Sequence, residues 1–354
     1  MHMADALLSP AVAAVMYSAS AVTAGVSIHK LKKDGDDKKL PAMAVMSALV
    51  FAGQMINYTI PGTGSSGHLC GGMMLTAVLG PYAGFLSMIV ILAIQCLFFA
   101  DGGLLALGAN VWNMAFYGCF VGYFLIYRPI IQGKLFSGRD NRAAVRMKLI
   151  LASILGCVIT LQLGAFSVVV ETSVSGITDL PFGAFCAVMQ PIHLAIGLVE
   201  GVITAAVLLF VYEARPELLP DVAAGAAGGG KCSLKATLII LSAVAVLVGG
   251  GLSLLASSNP DGLEWSLFGN EEAGYSANMG LDEEDYGVSG DAAEKAAAVQ
   301  EKTALLPDYA FSADPDSAAG TSVSGIVGCL IVAALAAIVC LAGGFFRKKA
   351  GSRQ

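Results

Sequence analysis

The chain has 354 residues, of which 56 % are hydrophobic and only 13 % are charged. A soluble globular domain carries about 25 % charged residues, so the composition excludes a water-soluble protein and predicts a polytopic membrane protein. The net charge of −6 does not describe the membrane part, because the acidic residues concentrate in one late segment.

The apolar runs predict an all-α fold of about seven transmembrane helices followed by a C-terminal two-helix unit, since a bilayer core needs about 20 apolar residues per helix. The expected spans are 8–28, 42–60, a short one at 68–80, 82–100, 104–127, 148–169 and 182–212, and then 235–256 and 322–346. Because 68–80 is short for a crossing, we expect His68 to open a helix that starts below the membrane surface. The run 182–212 is long enough to begin with a re-entrant piece.

Basic residues alternate with the spans in a way that predicts the orientation of the chain. The loop 29–39 holds five lysines, and Lys134, Arg139, Arg142, Arg146 and Lys148 lie between the fifth and sixth spans. Loops rich in Lys and Arg stay in the cytoplasm, so we expect the N-terminus outside and the C-terminus inside. No Lys or Arg precedes the first apolar run, which therefore predicts an uncleaved span rather than a signal peptide.

Composition divides the chain into four parts. Residues 1–213 form the expected membrane domain, and the Ala/Gly-rich segment 214–234 is typical of a flexible cytoplasmic linker. Residues 235–346 form the two-span unit, and 347–354 a cytoplasmic tail. Between its two spans, residues 257–321 hold 14 acids against two lysines, which predicts a solvated, partly disordered extracytoplasmic loop. Its first part, 259–265, is typical of an ordered turn with an apolar anchor.

The first two residues, Met1 and His2, can bind a metal ion together. The free α-amine, the His2 backbone nitrogen and His2 Nδ1 close two chelate rings in one plane and leave a fourth corner open. Planar nitrogen coordination suits Ni(II) or Cu(II). Glycines at 62, 64 and 67 let the backbone turn tightly, so His68 can reach the N-terminus. The alternatives are that His2 merely follows the initiator and that His68 faces lipid headgroups.

Four further polar residues inside the apolar runs are candidates for supporting roles. Asn110 and Asn113 lie on one helix face and either orient a histidine ring or link helices. His193 and Glu200 share a helix face. The alternatives for them are a proton relay, a second ion site, or structural hydrogen bonding to other groups of the protein.

Two acids, Asp5 and Asp101, lie at the expected outer surface, either attracting a cation or simply solvated.

The sequence holds no GxxxxGK[ST] motif, so active transport would need a partner or a gradient. It also holds no recognisable catalytic nucleophile and base, which argues against an enzyme. The basic loops are topology signals rather than nucleic-acid patches.

Several ordered motifs resemble one family of transporters. Met1-His2-Met3-Ala4-Asp5 with Ser9-Pro10 is similar to the N-terminal signature of the CbiM/NikM substrate-binding components of nickel/cobalt energy-coupling-factor (ECF) transporters. Later blocks of that family resemble Gly67-His-Leu-Cys-Gly-Gly72, Leu79-Gly-Pro81, Asp101-Gly-Gly103 and Leu107-Gly-Ala-Asn110. The segment Pro260-Asp-Gly-Leu-Glu264 is similar to the small CbiN/NikN-type component, here fused at the C-terminus.

The resemblance implies a metal-capture subunit in a bacterial or archaeal cell membrane, with Ni²⁺ or Co²⁺ as the transported substrate. It assigns the metal ligands to Met1, His2 and His68, and it implies a transmembrane coupling protein and cytoplasmic ATPases as partners. The preferred geometry of a planar nitrogen site slightly favours nickel. The positions of Asp5, Asn110 and Asn113 in the sequence make them candidate supporting residues. The alternatives are a proton-coupled secondary metal transporter using His193 and Glu200, and a membrane scaffold or sensor.

Overall fold

The computed structural model describes residues 1–34, 39–133, 142–223, 230–276, 279, 290–314 and 317–351. Several predicted features lie outside the described residues: Lys134 and Arg139 of the basic loop, part of the lysine-rich loop 29–39, the linker residues 224–229, and the acids at 282–285.

The described chain is almost entirely helical. Its helices are α1 (Pro10–Asp34), α2 (Lys39–Gln54), α3 (Gly72–Leu79), α4 (Pro81–Phe99), α5 (Leu107–Val111), α6 (Arg128–Gln132), α7 (Arg142–Ser175), α8 (Phe182–Ala214), α9 (Pro220–Ala223), α10 (Leu234–Gly250), α11 (Gly262–Phe268), α12 (Asp291–Thr303) and α13 (Ala318–Gly351). A π-helical segment, Trp112–Tyr127, joins α5 to α6. Two short antiparallel hairpins pair β1 (Tyr58–Ile60) with β2 (Ser65–Gly67), and β3 (Gly269–Asn270) with β4 (Tyr275–Ser276).

The all-α polytopic fold is confirmed. Among the described residues six helical segments are long and apolar enough to cross a bilayer: Pro10–Lys33, Pro81–Phe99, Leu107–Gln132, Arg142–Ser175, Phe182–Ala214 and Ala318–Leu341. Two shorter apolar helices, Leu40–Gln54 and Leu234–Gly250, accompany them. Each predicted span therefore has a helical counterpart, except that the third is only the eight-residue α3.

The prediction that His68 opens a helix is wrong. At about 1.5 Å per residue, α3 is far too short to cross a bilayer alone, and it begins at Gly72. His68 lies in the extended stretch between β2 and α3. Gly71 stops the helix from starting earlier, because its backbone is left-handed (φ 82°). Gly80, whose φ is also positive, separates α3 from α4, and α4 begins directly after it.

Three predicted boundaries also differ. The second span ends at Gln54 and gives way to the β1–β2 hairpin. Helix α7 runs on to Ser175 and so contains Glu171, which we expected in a loop. Helix α8 is continuous from Phe182 with Pro191 inside it, so there is no separate re-entrant piece at 182–212. Helices α7 and α8 are both longer than one bilayer crossing requires, because their apolar pattern continues beyond that length.

The C-terminal unit is more ordered and more tightly packed than the composition indicated. The described parts of 257–321 form α11, the β3–β4 hairpin and α12, rather than a solvated chain. In the linker, Leu219 and Val222 are buried, so its described part is packed rather than flexible. Helix α13 continues through 347–351, which we expected as a tail.

Close helix contacts fix the C-terminal unit against the first domain. The Cys329 thiol of α13 lies 3.5 Å from the Ala48 carbonyl of α2. Gly249 and Gly325 let α10 and α13 approach so closely that a Cβ on Gly325 would collide with the Gly249 backbone. The unit is therefore packed along α2, and its loop is carried to the end of the bundle where the β1–β2 hairpin lies.

Candidate metal site

The N-terminal amine and His68 meet at the base of the β1–β2 hairpin. The Met1 nitrogen lies 3.0 Å from His68 Nε2, and both residues are buried, with Met1 5 % and His68 9 % exposed. His68 Nδ1 lies 3.1 Å from the Leu69 carbonyl oxygen, to which it donates its proton. Nε2 therefore carries no proton and faces the amine, so its lone pair is available to an ion bound beside the amine.

The N-terminal segment is held by the loop and helix that follow α4. Asn110 accepts a hydrogen bond from the Met3 backbone N–H at 2.7 Å and donates one to the Met3 carbonyl at 3.1 Å. The Gly103 N–H also donates to that carbonyl. Asp5, which we expected at the outer surface, either attracting a cation or solvated, is buried and accepts the Ala106 N–H at 3.0 Å. These contacts fix the chain two residues after the amine.

The ring of His2 lies beside that of His68, with ring centroids 5.2 Å apart and nearly parallel planes. Its Nδ1, the predicted ligand atom, is 3.2 Å from Asp101 Oδ1, and its Nε2 is 3.2 Å from Gln95 Oε1. Chelation through Nδ1 therefore requires the ring to rotate away from Asp101. Gln95, a buried polar residue in an otherwise apolar run, was not predicted to belong to the site.

Neither asparagine orients a histidine ring, the first of the two roles considered for them. Asn110 holds the Met3 backbone instead. Asn113 donates to Glu171 Oε2 at 2.8 Å and to the Met3 sulfur at 3.6 Å, so it links α7 to the N-terminal segment. The ring of His2 takes its partners from Asp101 and Gln95.

Asp261 joins the site from the C-terminal unit. Its Oδ2 lies 2.6 Å from the Met1 amine and 3.9 Å from His68 Nε2. Nothing in the charge pattern distinguished this acid from the other acids of its loop. The sequence did mark Asp261 locally as the start of a helix. It precedes Gly-Leu-Glu264, and an Asp followed three residues later by Glu is typical of a helix N-terminus.

The loop of the C-terminal unit reaches the site by docking on the β1–β2 hairpin. The Ser66 N–H donates to the Pro260 carbonyl at 2.8 Å, and the Trp265 indole N–H donates to the Thr63 carbonyl at 2.9 Å. Trp265 also stacks on Tyr275, with ring centroids 4.1 Å apart. The expected turn at 259–265 is thus the capped start of α11.

His193 and Glu200 lie on the same face of α8, as their spacing predicts, but they do not bond to each other. His193 borders a cavity of about 10 Å³ with Met1, His68 and Gly262, about the space of one water molecule. Its Nε2 is buried and has no hydrogen-bond partner among the described residues. Glu200 lies further along α8 and accepts the Gly71 N–H at 2.9 Å.

Burial and charge keep both histidine rings of the site neutral. Burial, the positive amine and His2 lower the pKa of His68 well below its usual value, and burial lowers the pKa of His2. Although burial alone would raise the pKa of Asp261, the amine and His68 hold it below its usual range. The site therefore combines neutral imidazoles with an ionised carboxylate, a donor set suited to a transition-metal cation.

An acidic cleft of about 520 Å³ leads to the site. Its lining includes His2, His68, Asp101, Asp261, Glu264 and Asp308. The two parts of the chain build it together, because Asp101 follows α4 whereas the last three acids come from the C-terminal unit. Tyr309 of that unit donates to Asp101 Oδ2 at 2.5 Å. Such a concentration of carboxylates attracts cations.

Comparison with known proteins identifies both parts of the chain. Residues 2–218 match the family described as cobalt uptake substrate-specific transmembrane region, and residues 235–343 match the PDGLE domain. A solved structure titled "Crystal Structure of an Truncated Transition metal Transporter" superimposes with a TM-score of 0.51 at 35 % identity, covering 60 % of this chain and 99 % of that one.

Two relatives match almost end to end. A protein of Archaeoglobus fulgidus described as a putative fused nickel transport protein NikMN is 37 % identical over 95 % of this chain and 96 % of its own length. The fused nickel transport protein NikMN of Rhodobacter capsulatus is 30 % identical over 94 % of this chain and 95 % of its own. These matches confirm the predicted fusion of a CbiM/NikM-like and a CbiN/NikN-like part. The chain belongs to the cobalt uptake substrate-specific transmembrane family, and it is a component of a membrane transporter rather than an enzyme.

Proposed function

We propose that this chain is the substrate-capture subunit of an ATP-driven ECF-type importer for Ni²⁺ or Co²⁺, with the ion bound by Met1, His2 and His68. The observation that carries the proposal is the 3.0 Å separation between the Met1 amine nitrogen and His68 Nε2. Metal–nitrogen bonds of about 2.0–2.1 Å place neighbouring corners of a square about 2.9 Å apart. The two nitrogens are thus spaced for one ion.

The remaining corners come from His2, through its backbone nitrogen and, after rotation of its ring, Nδ1. Neutral imidazoles support this role, because a lone pair that carries no proton is free to ligate. A planar set of nitrogen ligands favours nickel over cobalt(II) on preferred geometry. The names of the two fused relatives agree with nickel. The proposal also requires Met1 to be the first residue of the mature chain, which the intact mass of the purified protein checks.

We propose that the site faces the outside of the cell. Among the described residues, every Lys and Arg except Lys295 and Lys302 lies at or near the opposite end of the helices. Basic segments of that kind stay in the cytoplasm. The acidic cleft would then open toward the medium that supplies the ion. Energy would come from a coupling protein and ATPases, because the sequence has no phosphate-binding loop of its own.

Uptake measurements test the proposal. His68→Ala should abolish uptake of ⁶³Ni by cells that make the complete transporter, whereas His29→Ala should leave it unchanged, because His29 is exposed in the basic end of α1. Normal uptake by His68→Ala at limiting nickel would contradict the proposed site. In liposomes the purified chain alone should give no net transport, while the chain with its partners and ATP should.

The second candidate is a proton-coupled secondary transporter. The buried and unbonded Nε2 of His193, beside the cavity that Met1 and His68 line, favours it. Such a protein would accumulate metal in liposomes under a proton gradient, without ATP or partners. His193→Gln would then abolish this transport.

A further inference from the structure

We propose that the Asp261 carboxylate is a ligand of the entering metal ion, at the corner of the coordination square opposite His68. The proposal rests on the proposed function, since it adds a ligand to the same site. It makes the C-terminal unit a direct participant in metal capture.

Three distances support the assignment. The Met1 nitrogen is 3.0 Å from His68 Nε2 and 2.6 Å from Asp261 Oδ2, while Oδ2 and Nε2 are 3.9 Å apart. The two shorter vectors therefore meet at the amine at nearly a right angle. With bonds of about 2.0–2.1 Å, a square has sides of about 2.9 Å and a diagonal of about 4.1 Å. The three atoms thus occupy three corners of one square, with the amine between the other two.

The backbone around Asp261 aims Oδ2 at this position. Oδ1 is occupied, since it caps α11 by accepting the N–H groups of Leu263 at 2.7 Å and Glu264 at 3.0 Å. The preceding carbonyl, of Pro260, is bonded to the Ser66 N–H in β2. One carboxylate oxygen is therefore anchored to the helix while the other faces the amine and His68.

Asp261 also lies on the path by which an ion arrives. It lines the acidic cleft together with His2 and His68, and its side chain is 16 % exposed. Met1 is not among the residues that line the cleft, and it borders the small cavity instead. An ion moving in from the cleft therefore meets the carboxylate together with the histidine rings.

The position of Asp261 also determines when it acts. In a chelate of amine, His2 amide and His2 imidazole, the amide is the middle donor, so it must lie opposite the fourth ligand, His68. That is the corner where Asp261 Oδ2 lies. Asp261 therefore binds the ion first and leaves when the amide nitrogen binds. The ammonium and the amide each release a proton to the solvent of the cleft. The metal–oxygen bond breaks as the metal–amide bond forms.

Stopped-flow mixing of the purified full chain with Ni²⁺, and separately with Co²⁺, tests this role. Asp261→Asn keeps the helix cap, because Asn caps as well as Asp, but it removes the anionic ligand. We expect its association rate to fall at least about tenfold, the lower end of what losing a supporting metal partner costs. The absorption spectrum of the final complex should stay that of the wild type. Glu271→Gln, which removes an exposed acid of the same loop, should leave the rate unchanged.

A second variant separates ligation from charge. Asp261→His places a neutral donor at the same distance along the side chain. Ligation predicts that it recovers most of the rate lost in Asp261→Asn. An unchanged rate in Asp261→Asn, or equally slow association in both variants at a melting temperature equal to that of the wild type, would overturn the proposal. Failure of the proposed function looks different: the wild type would then bind no metal, or His68→Ala would bind it equally well.

Discussion

Asn110 shows how one side chain can set the geometry of a site that it does not touch. Its amide group bonds to both the N–H and the carbonyl of Met3, two residues after the amine. A terminal segment is normally disordered unless it is tied down. The amine can meet His68 because Asn110 fixes the backbone just beyond it.

Replacing Asn110 by Ala should therefore weaken metal binding without removing a ligand. We expect a loss of affinity of about 10- to 100-fold, typical for partners that orient metal ligands. Stability should also fall, by about 1–3 kcal/mol, because the Met3 N–H becomes buried and unpaired, while the Met3 carbonyl keeps its hydrogen bond from the Gly103 N–H. Titration calorimetry with Ni²⁺ and thermal unfolding measure the two effects.

Gln162→Ala is the control for Asn110→Ala. Gln162 donates to the Gln190 carbonyl at 2.8 Å across α7 and α8, and its backbone carbonyl accepts from the Gln190 side chain. Neither hydrogen bond involves a residue of the candidate site. Its loss should lower stability while metal affinity stays at the wild-type value. Equal affinity losses in the two variants would mean that Asn110 acts through general stability alone.

At the scale of elements, the β1–β2 hairpin is the part that connects the two halves of the chain. It carries His68 at its base, and its turn receives Trp265 and Asn270 of the C-terminal unit. The turn needs left-handed backbone at Gly62 and Gly64, with φ of 77° and 70°. Only Gly64 lies against the other unit: a Cβ there would collide with Ala273, whereas one on Gly62 would meet open space.

This difference provides a matched pair of substitutions. Gly62→Ala and Gly64→Ala share the cost of a left-handed alanine, about 1–2 kcal/mol. Gly64→Ala should in addition push away the β3–β4 region and loosen α11. Hydrogen exchange of the α11 amides should then be faster in Gly64→Ala than in Gly62→Ala. Equal exchange in both would show that the hairpin turn does not hold the C-terminal loop.

The elements also show what the sequence could predict. Runs of about 20 apolar residues identified the long helices, because span length follows from bilayer thickness. The same rule failed between residues 55 and 80. There the chain is shaped by left-handed glycines and by pairing of Ser66 with Pro260, a contact between residues almost 200 positions apart.

At the scale of the whole molecule, the candidate site is assembled from both fused parts. Met1, His2 and His68 belong to the first part. Met1 and His2 were predicted because terminal chelation depends only on the order of the first residues, and His68 was predicted from the glycines before it and from the family resemblance. Asp261 was not predicted as part of the site, although its segment, 259–265, was predicted to be an ordered turn. Its position follows from packing of α10 and α13 along α2, which composition does not encode.

Fusion gives this arrangement a physical advantage. The loop that carries Asp261 is tied to the first domain, so it meets the amine as part of the same molecule rather than by diffusion. Tethering raises the effective concentration of such a contact to about the millimolar range for short flexible linkers. The described part of 214–234 is packed rather than free, with Leu219 and Val222 buried, which further restricts where the C-terminal unit can lie.

Chelation of the ion by Met1 and His2 is the basis of the proposed function. His2→Ala tests it, with Ni²⁺ affinity of the purified chain measured by calorimetry beside the wild type. The substitution keeps the amine, the second-residue amide and His68 but opens the ring that His2 Nδ1 closes. We predict an affinity loss greater than about 100-fold, more than the removal of a supporting partner causes. A His2→Ala variant that binds Ni²⁺ as tightly as the wild type would contradict the proposal.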